Sequence, residues 1–200
     1  GFDLMKDVWI EKLSEHRARF ALQRSQSLIT DANCSAEKAV QLGFSREKIC
    51  IFPWGVDLAH FTPASARIRG AVWRERHGWG DKRVLLCLRS WEPNYGVDVL
   101  LHAFVEAAQK DDSLRLILLG DGSQHDLLLS ILQEAQVSDK VFLGGRVPNQ
   151  DLITYYGAAD LYVTPSHVDG SSVSLMEAMA CGLPVIACAG SGAAEVVTDG

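Results

Sequence analysis

No apolar run in this chain approaches the roughly 20 residues that a membrane-crossing helix needs. The first residues carry no leader-like apolar block either, because Lys6, Asp7, Glu11 and Lys12 interrupt it. Paired cysteines are missing too. Cys34, Cys50, Cys87, Cys181 and Cys188 are scattered, with no CxxC spacing. An odd, dispersed set predicts reduced, mostly buried thiols in cytosol rather than a disulfide framework. No His, Asp or Glu set has metal-ligand spacing, so no metal cofactor is expected. Basic residues are outnumbered, 19 Lys and Arg against 25 Asp and Glu, and the net charge of -6 argues against nucleic acid as a partner. A phosphate ligand stays open, since local donors decide that. The dinucleotide fingerprint GxGxxG is absent: the first turn after the predicted strand at 84 reads Leu88-Arg89-Ser90-Trp91-Glu92-Pro93.

What is present is alternation. Hydrophobic residues make up 48% and charged residues 22%, which is a globular composition. From Lys82 onward, strands are predicted at Val84–Leu88, Leu114–Leu119, Lys140–Leu143, Leu161–Thr164 and Pro184–Ala187. Helices are predicted at about 96–110, 123–136, 149–157 and 172–181. Near-continuous apolar strands such as Leu116-Ile117-Leu118-Leu119 belong in a parallel sheet covered on both faces. The order predicts an α/β fold with a doubly wound, Rossmann-like sheet, whose ligands bind beyond the carboxyl ends of the strands. Before Lys82, an amphipathic helix over 4–24 carries Val8, Trp9, Leu13, Phe20 and Ala21 on one stripe. A short strand at 27–30 follows, then a helix capped by Ser35 and ending near Gly43. A strand at 48–52 is stopped by Pro53, a linker runs over 55–63, and a helix-capable stretch covers 66–77.

The stretch richest in chemistry is Asp169 to Ala187. Asp169 and Glu177 bracket Gly170-Ser171-Ser172-Val173-Ser174-Leu175-Met176. Backbone amides at the start of a helix attract phosphate. A carboxylate before the turn and another inside the helix can accept from vicinal hydroxyls, because a carboxylate offers two acceptor oxygens side by side. Together these point to a sugar nucleotide.

The run Glu177-Ala178-Met179-Ala180-Cys181-Gly182-Leu183-Pro184-Val185, preceded by the acidic residue Asp169, resembles the donor-binding, carboxyl-terminal half of retaining glycosyltransferases of the GT-B fold, family 4 (group 1). Phe52-Pro53-Trp54-Gly55-Val56-Asp57 is similar to that family's interdomain joint, where Asn more usually stands at the Trp54 position. The resemblance implies three regions. Residues 1–56 are the tail of an amino-terminal domain and the joint, 57–81 a linker and helix, and 82–200 an incomplete nucleotide-sugar-binding domain lacking its last strand and returning helices.

By the same resemblance the chain is a hexosyl transferase part, using a UDP- or GDP-type sugar as donor substrate and no further cofactor. Arg89 and Tyr95 face the donor diphosphate, Tyr95 standing where the family has a lysine. Val147 contacts the base through its backbone. Gly170, Ser171, Ser172, Val173 and Ser174 hold the phosphate, Glu177 the ribose, and Asp169 the sugar hydroxyls. Asp169 replaces a glutamate and Ser172 a glycine, which suggests altered sugar choice. Catalytic roles fall to Asp169 and Arg89.

The acceptor, a glycan or lipid, would be held by a domain outside this chain, so the chain alone is expected to transfer little sugar and to pair with itself through its uncovered sheet edge. Cytoplasmic localisation is expected, with attachment to the cytoplasmic membrane face left open. Other readings of the same residues are a non-catalytic Rossmann module binding NAD or another nucleotide, and a sugar-nucleotide epimerase. His167 reads as a polar loop residue, His16, His60, His77, His102 and His125 as surface or packing residues, and Asp160 as structural.

Overall fold

The computed structural model describes residues 12–198, and side chains from residue 15 onward. Val8 and Trp9 of the first predicted helix, and the side chain of Leu13, lie outside the described residues. The chain divides into two compact units.

The first unit comprises the chain up to Gly55 together with His167–Val173 and the segment from Cys188 onward. Helix α1 (Lys12–Arg24) leads into strand β1 (Leu28–Thr30), helix α2 (Asn33–Gln41) and strand β2 (Ile49–Ile51). β1 and β2 pair in parallel. Their cover is a small core of Leu22, Ala39, Leu42 and Phe44, against which Ala18, Leu28 and Ile49 pack. α2 ends as expected, at Gly43 with φ of +93°. Its start differs from the expectation. The helix begins at Asn33, Ala32 is the extended residue before it, and Ser35 lies buried in the first turn without capping. The cap comes from far along the chain. The Glu195 carboxylate accepts the amides of Asn33 and Cys34, both at 2.8 Å, and the Asn33 side-chain amide at 2.9 Å. Two orphan amides at a helix start are thereby satisfied by one bidentate acceptor.

The second unit spans Val56–Ser166 and Ser174–Ala187. Helix α3 (Pro63–Arg76) opens it, with Thr62 accepting the Ser65 amide and Pro63 at the first helical position. Strand β3 (Arg83–Leu88), helix α4 (Val97–Lys110), strand β4 (Leu114–Leu119), helix α5 (His125–Glu134) and strand β5 (Val141–Gly145) follow. Then come helix α6 (Asn149–Ala158), strand β6 (Leu161–Thr164), helix α7 (Val173–Ala180), whose first residue groups with the first unit, and strand β7 (Val185–Ala187).

All five strands run parallel in the order β5-β4-β3-β6-β7. This is the doubly wound, Rossmann-like α/β sheet, and the strand order reverses between β3 and β6. Both faces are covered, as the apolar strands require. Leu116 and Leu118 pack with Leu101 and Phe104 of α4 and Leu128 and Leu132 of α5. On α3, Trp73 meets Phe142 of β5 edge-on at 5.1 Å and stacks on His77 at 3.8 Å, a packing role for that histidine. Asp160 is structural: it accepts from Arg74 at 3.0 and 3.1 Å and from the Val84 amide at 2.8 Å, tying α3 to the start of β3.

Candidate functional site

The expected site residues fall into two groups, one in each unit. In the second unit the crevice lies where such sheets bind ligands, beyond the carboxyl ends of the strands at the reversal of strand order. A cleft of about 520 Å³ is lined by Leu88, Arg89, Ser90, Tyr95, Gly120, Asp121, Arg146 and Val147. Three residues picked from the sequence for donor binding, Arg89, Tyr95 and Val147, therefore share one cavity. Arg89 follows β3, and its Nε donates to Thr164 Oγ1 at 2.9 Å, at the end of β6. This bond crosses the reversal point and fixes the guanidinium at the mouth of the crevice. The Tyr95 ring centroid is 5.8 Å from the guanidinium carbon, within cation–π range.

Arg146 was not singled out from the sequence as a charge. It lies in the same cleft, largely exposed, with Nε 3.5 Å from Asp121 Oδ2. Its signal was available, since Gly145-Arg146-Val147-Pro148 follows a strand on the ligand edge. Two guanidiniums and a phenol around one cleft suit an anion with several oxygens.

Glu177 sits on α7 and is 4% exposed. Asn149 Nδ2 donates to its Oε1 at 2.9 Å and Tyr156 Oη to its Oε2 at 2.8 Å. Each oxygen keeps a second acceptor position, so the carboxylate is held rigidly with capacity left for a diol. Burial, reinforced by Tyr162 and Glu177 nearby, holds the Tyr156 phenol well above its ordinary value and therefore as a donor. Ser174, one turn earlier, has its hydroxyl 2.8 Å from Tyr162 Oη.

The loop bearing Asp169, Gly170, Ser171 and Ser172 belongs to the first unit, as does Val173. Its amides are not all free, contrary to the expectation from sequence. Asp31 Oδ2 accepts the Ser171 amide at 3.1 Å. The Trp54 amide lies 3.4 Å from Ser171 Oγ, and the Gly192 amide donates to the Asp169 carbonyl at 3.0 Å. Ser172 takes the place of a glycine at no conformational cost, because its φ is negative. Gly170 makes room for Asp31: a Cβ there would lie 2.3 Å from Asp31 Oδ2. A cavity of about 550 Å³ opens in this unit, lined by Asp31, Trp54, Asp169 and their neighbours. Asp31 escaped the sequence reading. The signal that pointed to it is its position immediately after β1, a parallel strand.

Among the described residues no group of three or more His, Cys, Asp and Glu is placed to hold a metal ion. No described helix is long and apolar enough to cross a membrane.

Comparison with known proteins agrees with this geometry. A GDP-mannose-dependent alpha-(1-6)-phosphatidylinositol monomannoside mannosyltransferase of Mycolicibacterium smegmatis is 33% identical over 156 residues, 74% of this chain and 40% of its own length. A D-inositol 3-phosphate glycosyltransferase of Kineococcus radiotolerans is 30% identical over 189 residues, 89% of this chain and 43% of its own length. The chain thus spans about two fifths of the length of the curated relatives it matches. Among solved structures, Anabaena HepE in complex with UDP-glucose superposes with a TM-score of 0.84 at 22% identity, covering 99% of this chain and 54% of that one. The carboxyl-terminal domain of the group 1 glycosyl transferase LpcC from Francisella tularensis gives 0.63 at 22% identity, covering 72% of this chain and 76% of that one. These two establish the fold. The family described as glycosyl transferases group 1 matches residues 71–200, and with the relatives above this shows that the chain belongs to that family.

Proposed function

We infer that the protein is a retaining glycosyltransferase of family 4, moving a hexosyl group from a nucleoside diphosphate sugar to an acceptor hydroxyl. The observation that carries this reading is the gathering of Arg89, Tyr95 and Val147 around one cleft at the reversal of strand order. In this reading Arg89 neutralises the donor diphosphate, and Tyr95 gives one uncharged hydrogen bond where the family has a lysine. The backbone at Val147 meets the base, and Glu177, fixed by Asn149 and Tyr156, holds the ribose diol. Asp169 orients sugar hydroxyls and stabilises positive charge developing at the anomeric carbon. The acceptor attacks the face from which the nucleotide leaves. Rate enhancement then comes from orientation and charge stabilisation rather than from a carboxylate nucleophile. The relatives named for GDP-mannose and the fold relative solved with UDP-glucose support a nucleotide-sugar donor of UDP or GDP type.

Calorimetric titration with UDP, GDP, ADP and NAD tests this, repeated on Arg89→Ala and Glu177→Gln. Glutamine keeps the shape of the buried site while removing its charge. Binding of one nucleoside diphosphate that weakens at least about tenfold in Arg89→Ala supports the donor site and names its base. Binding of NAD in preference to the diphosphates overturns it in favour of a dinucleotide module.

A further inference from the structure

Helix α3 carries four arginines and one acid, Glu75, in a chain whose net charge is -6. Its inner side is settled. Ala66, Gly70 and Trp73 are buried, and Gly70 approaches the Gly157 backbone of α6 so closely that no Cβ fits between them. Outside that buried side, Ile68, Val72, Arg76 and Arg69 fall within one sector of about 100° at 3.6 residues per turn. All four are exposed, Ile68 at 70% and Val72 at 44%. They line a groove of about 340 Å³ together with Trp73 and with Thr154 of α6. Arg74 is tied to Asp160 at 3.0 Å, whereas among the described residues no ion pair holds Arg69 or Arg76. Glu75 falls just outside the sector, so the groove is lined by two cations and no acid.

Two exposed apolar side chains beside two guanidiniums make the surface of a helix that lies in a lipid–water interface. Arginine stems run along apolar surface while their heads stay with polar groups, and the planar fork matches phosphate oxygens in pairs. A protein partner fits less well. A stable protein interface takes roughly 800 Å² from each side, and two apolar side chains on a convex helix fall short of that. A bilayer needs no matching shape, and it offers many phosphates at once to both guanidiniums. The helix is already formed and fixed to α6, so docking carries no folding cost.

We propose that the outer face of α3 docks on a bilayer containing anionic phospholipid. Ile68 and Val72 enter the headgroup layer, and Arg69 and Arg76 bind lipid phosphates. The chain as a whole is acidic, so an anionic surface repels it in most orientations and admits it by a cationic face. Docking therefore also sets how the second unit is oriented on the membrane. This goes beyond the transfer reading above and does not depend on it.

Vesicle co-sedimentation of the chain is the test, with vesicles of phosphatidylcholine alone and of phosphatidylcholine mixed with phosphatidylglycerol. The mixed vesicles are expected to bind at least about tenfold more tightly, and less so as salt rises. Each basic residue near an anionic surface contributes about fivefold, so Arg69→Gln with Arg76→Gln should weaken binding at least about tenfold. Arg69→Lys with Arg76→Lys keeps the charge and should keep most of the binding. A folding defect from losing the guanidiniums would strike both pairs alike. Ile68→Ser should weaken binding several-fold at every salt concentration. Equal binding to the two kinds of vesicle overturns the proposal, as does binding to neither. So does equal loss in the Gln and Lys pairs, or binding indifferent to Ile68→Ser. Retention on immobilised polyglutamate without vesicle binding overturns it in favour of an acidic protein partner. The nucleotide titrations report separately, because Arg69 and Arg76 lie outside the cleft that holds Arg89.

Discussion

Asp31 and Gly170 compete for one space: a Cβ on Gly170 would stand 2.3 Å from Asp31 Oδ2, the same oxygen that accepts the Ser171 amide at 3.1 Å. The strand end at 31 and the loop at 170 are 139 residues apart, yet each fixes the chemistry available to the other.

Gly170→Ala should therefore break the Asp31–Ser171 bond without unfolding the chain. The clash falls on the end of a side chain, which can rotate, so the expected loss is about 1 kcal/mol, that of one hydrogen bond. Gly157→Ala makes the contrasting case. Its Cβ would lie 1.8 Å from the Ala66 carbonyl oxygen, where α3 and α6 touch backbone to backbone. No rotamer relieves that, and a loss of about 3 kcal/mol or more is expected. Denaturant unfolding of both variants checks the order, and equal losses would refute the distinction.

The Glu195 clamp on α2 predicts a pH dependence. Burial pushes this carboxyl upward, but the amides of Asn33 and Cys34 outweigh it and hold the group below its ordinary value near 4.5. A depressed folded value means that the stabilisation is fully present above about 4.5 and is lost as pH falls from there through the folded value. Glu195→Ala should cost about 1 kcal/mol at pH 7, the usual worth of a helix cap. The gap between wild type and variant should close on acidification. A gap that stays constant from pH 7 to 3 would show that the carboxylate charge is irrelevant to the clamp.

Much of this was legible in the sequence, and the reasons are local. β4 and β6 fall where predicted, because residues 116–119 and 161–163 are short apolar runs closed by Gly120 and Pro165, as strands of a sheet covered on both faces are. Strand order placed the ligand edge of the doubly wound sheet, while Arg89, Tyr95 and Val147 were picked out on that edge by the family resemblance, and the structure brings the three around one cleft. What escaped is non-local. Ser35 has the side chain of a cap, but the cap is Glu195, 160 residues away, and no local pattern announces it. The Ser171 amide looked free for phosphate because Asp31 could not be placed beside it without the tertiary structure.

The cysteines should separate by reactivity. Burial raises the Cys34 thiol to about 11, with Glu195 adding to the shift. Burial likewise raises Cys87 to about 12 and Cys181 to about 11. Cys50 is exposed. Since the thiolate is the nucleophile, iodoacetamide at pH 8 should label Cys50 well before Cys34, Cys87 and Cys181. Peptide mass mapping over time reads the order. Early labelling of Cys87 would mean that β3 is not packed as described.

The Tyr156–Glu177 pair supplies the last expectation. Glu177 is 4% exposed and depends on Asn149 and Tyr156 for its two hydrogen bonds. Tyr156→Phe leaves one buried carboxylate oxygen without its donor, a loss of about 1–3 kcal/mol. The phenol's folded value is raised, chiefly by burial, so the unfolded chain releases this proton first, near pH 10. Stability from the phenol is therefore fully present below about pH 10 and falls as pH rises toward the folded value. The variant lacks that proton, so the difference between wild type and Tyr156→Phe should be constant from pH 7 to about 10 and shrink above it. Nucleotide affinity should fall as well, because Glu177 loses the partner that orients it. Weakened nucleotide binding that full restoration of stability by osmolyte fails to repair would mark Tyr156 as positioning the ribose clamp, whereas recovery of affinity with stability would reduce its role to packing.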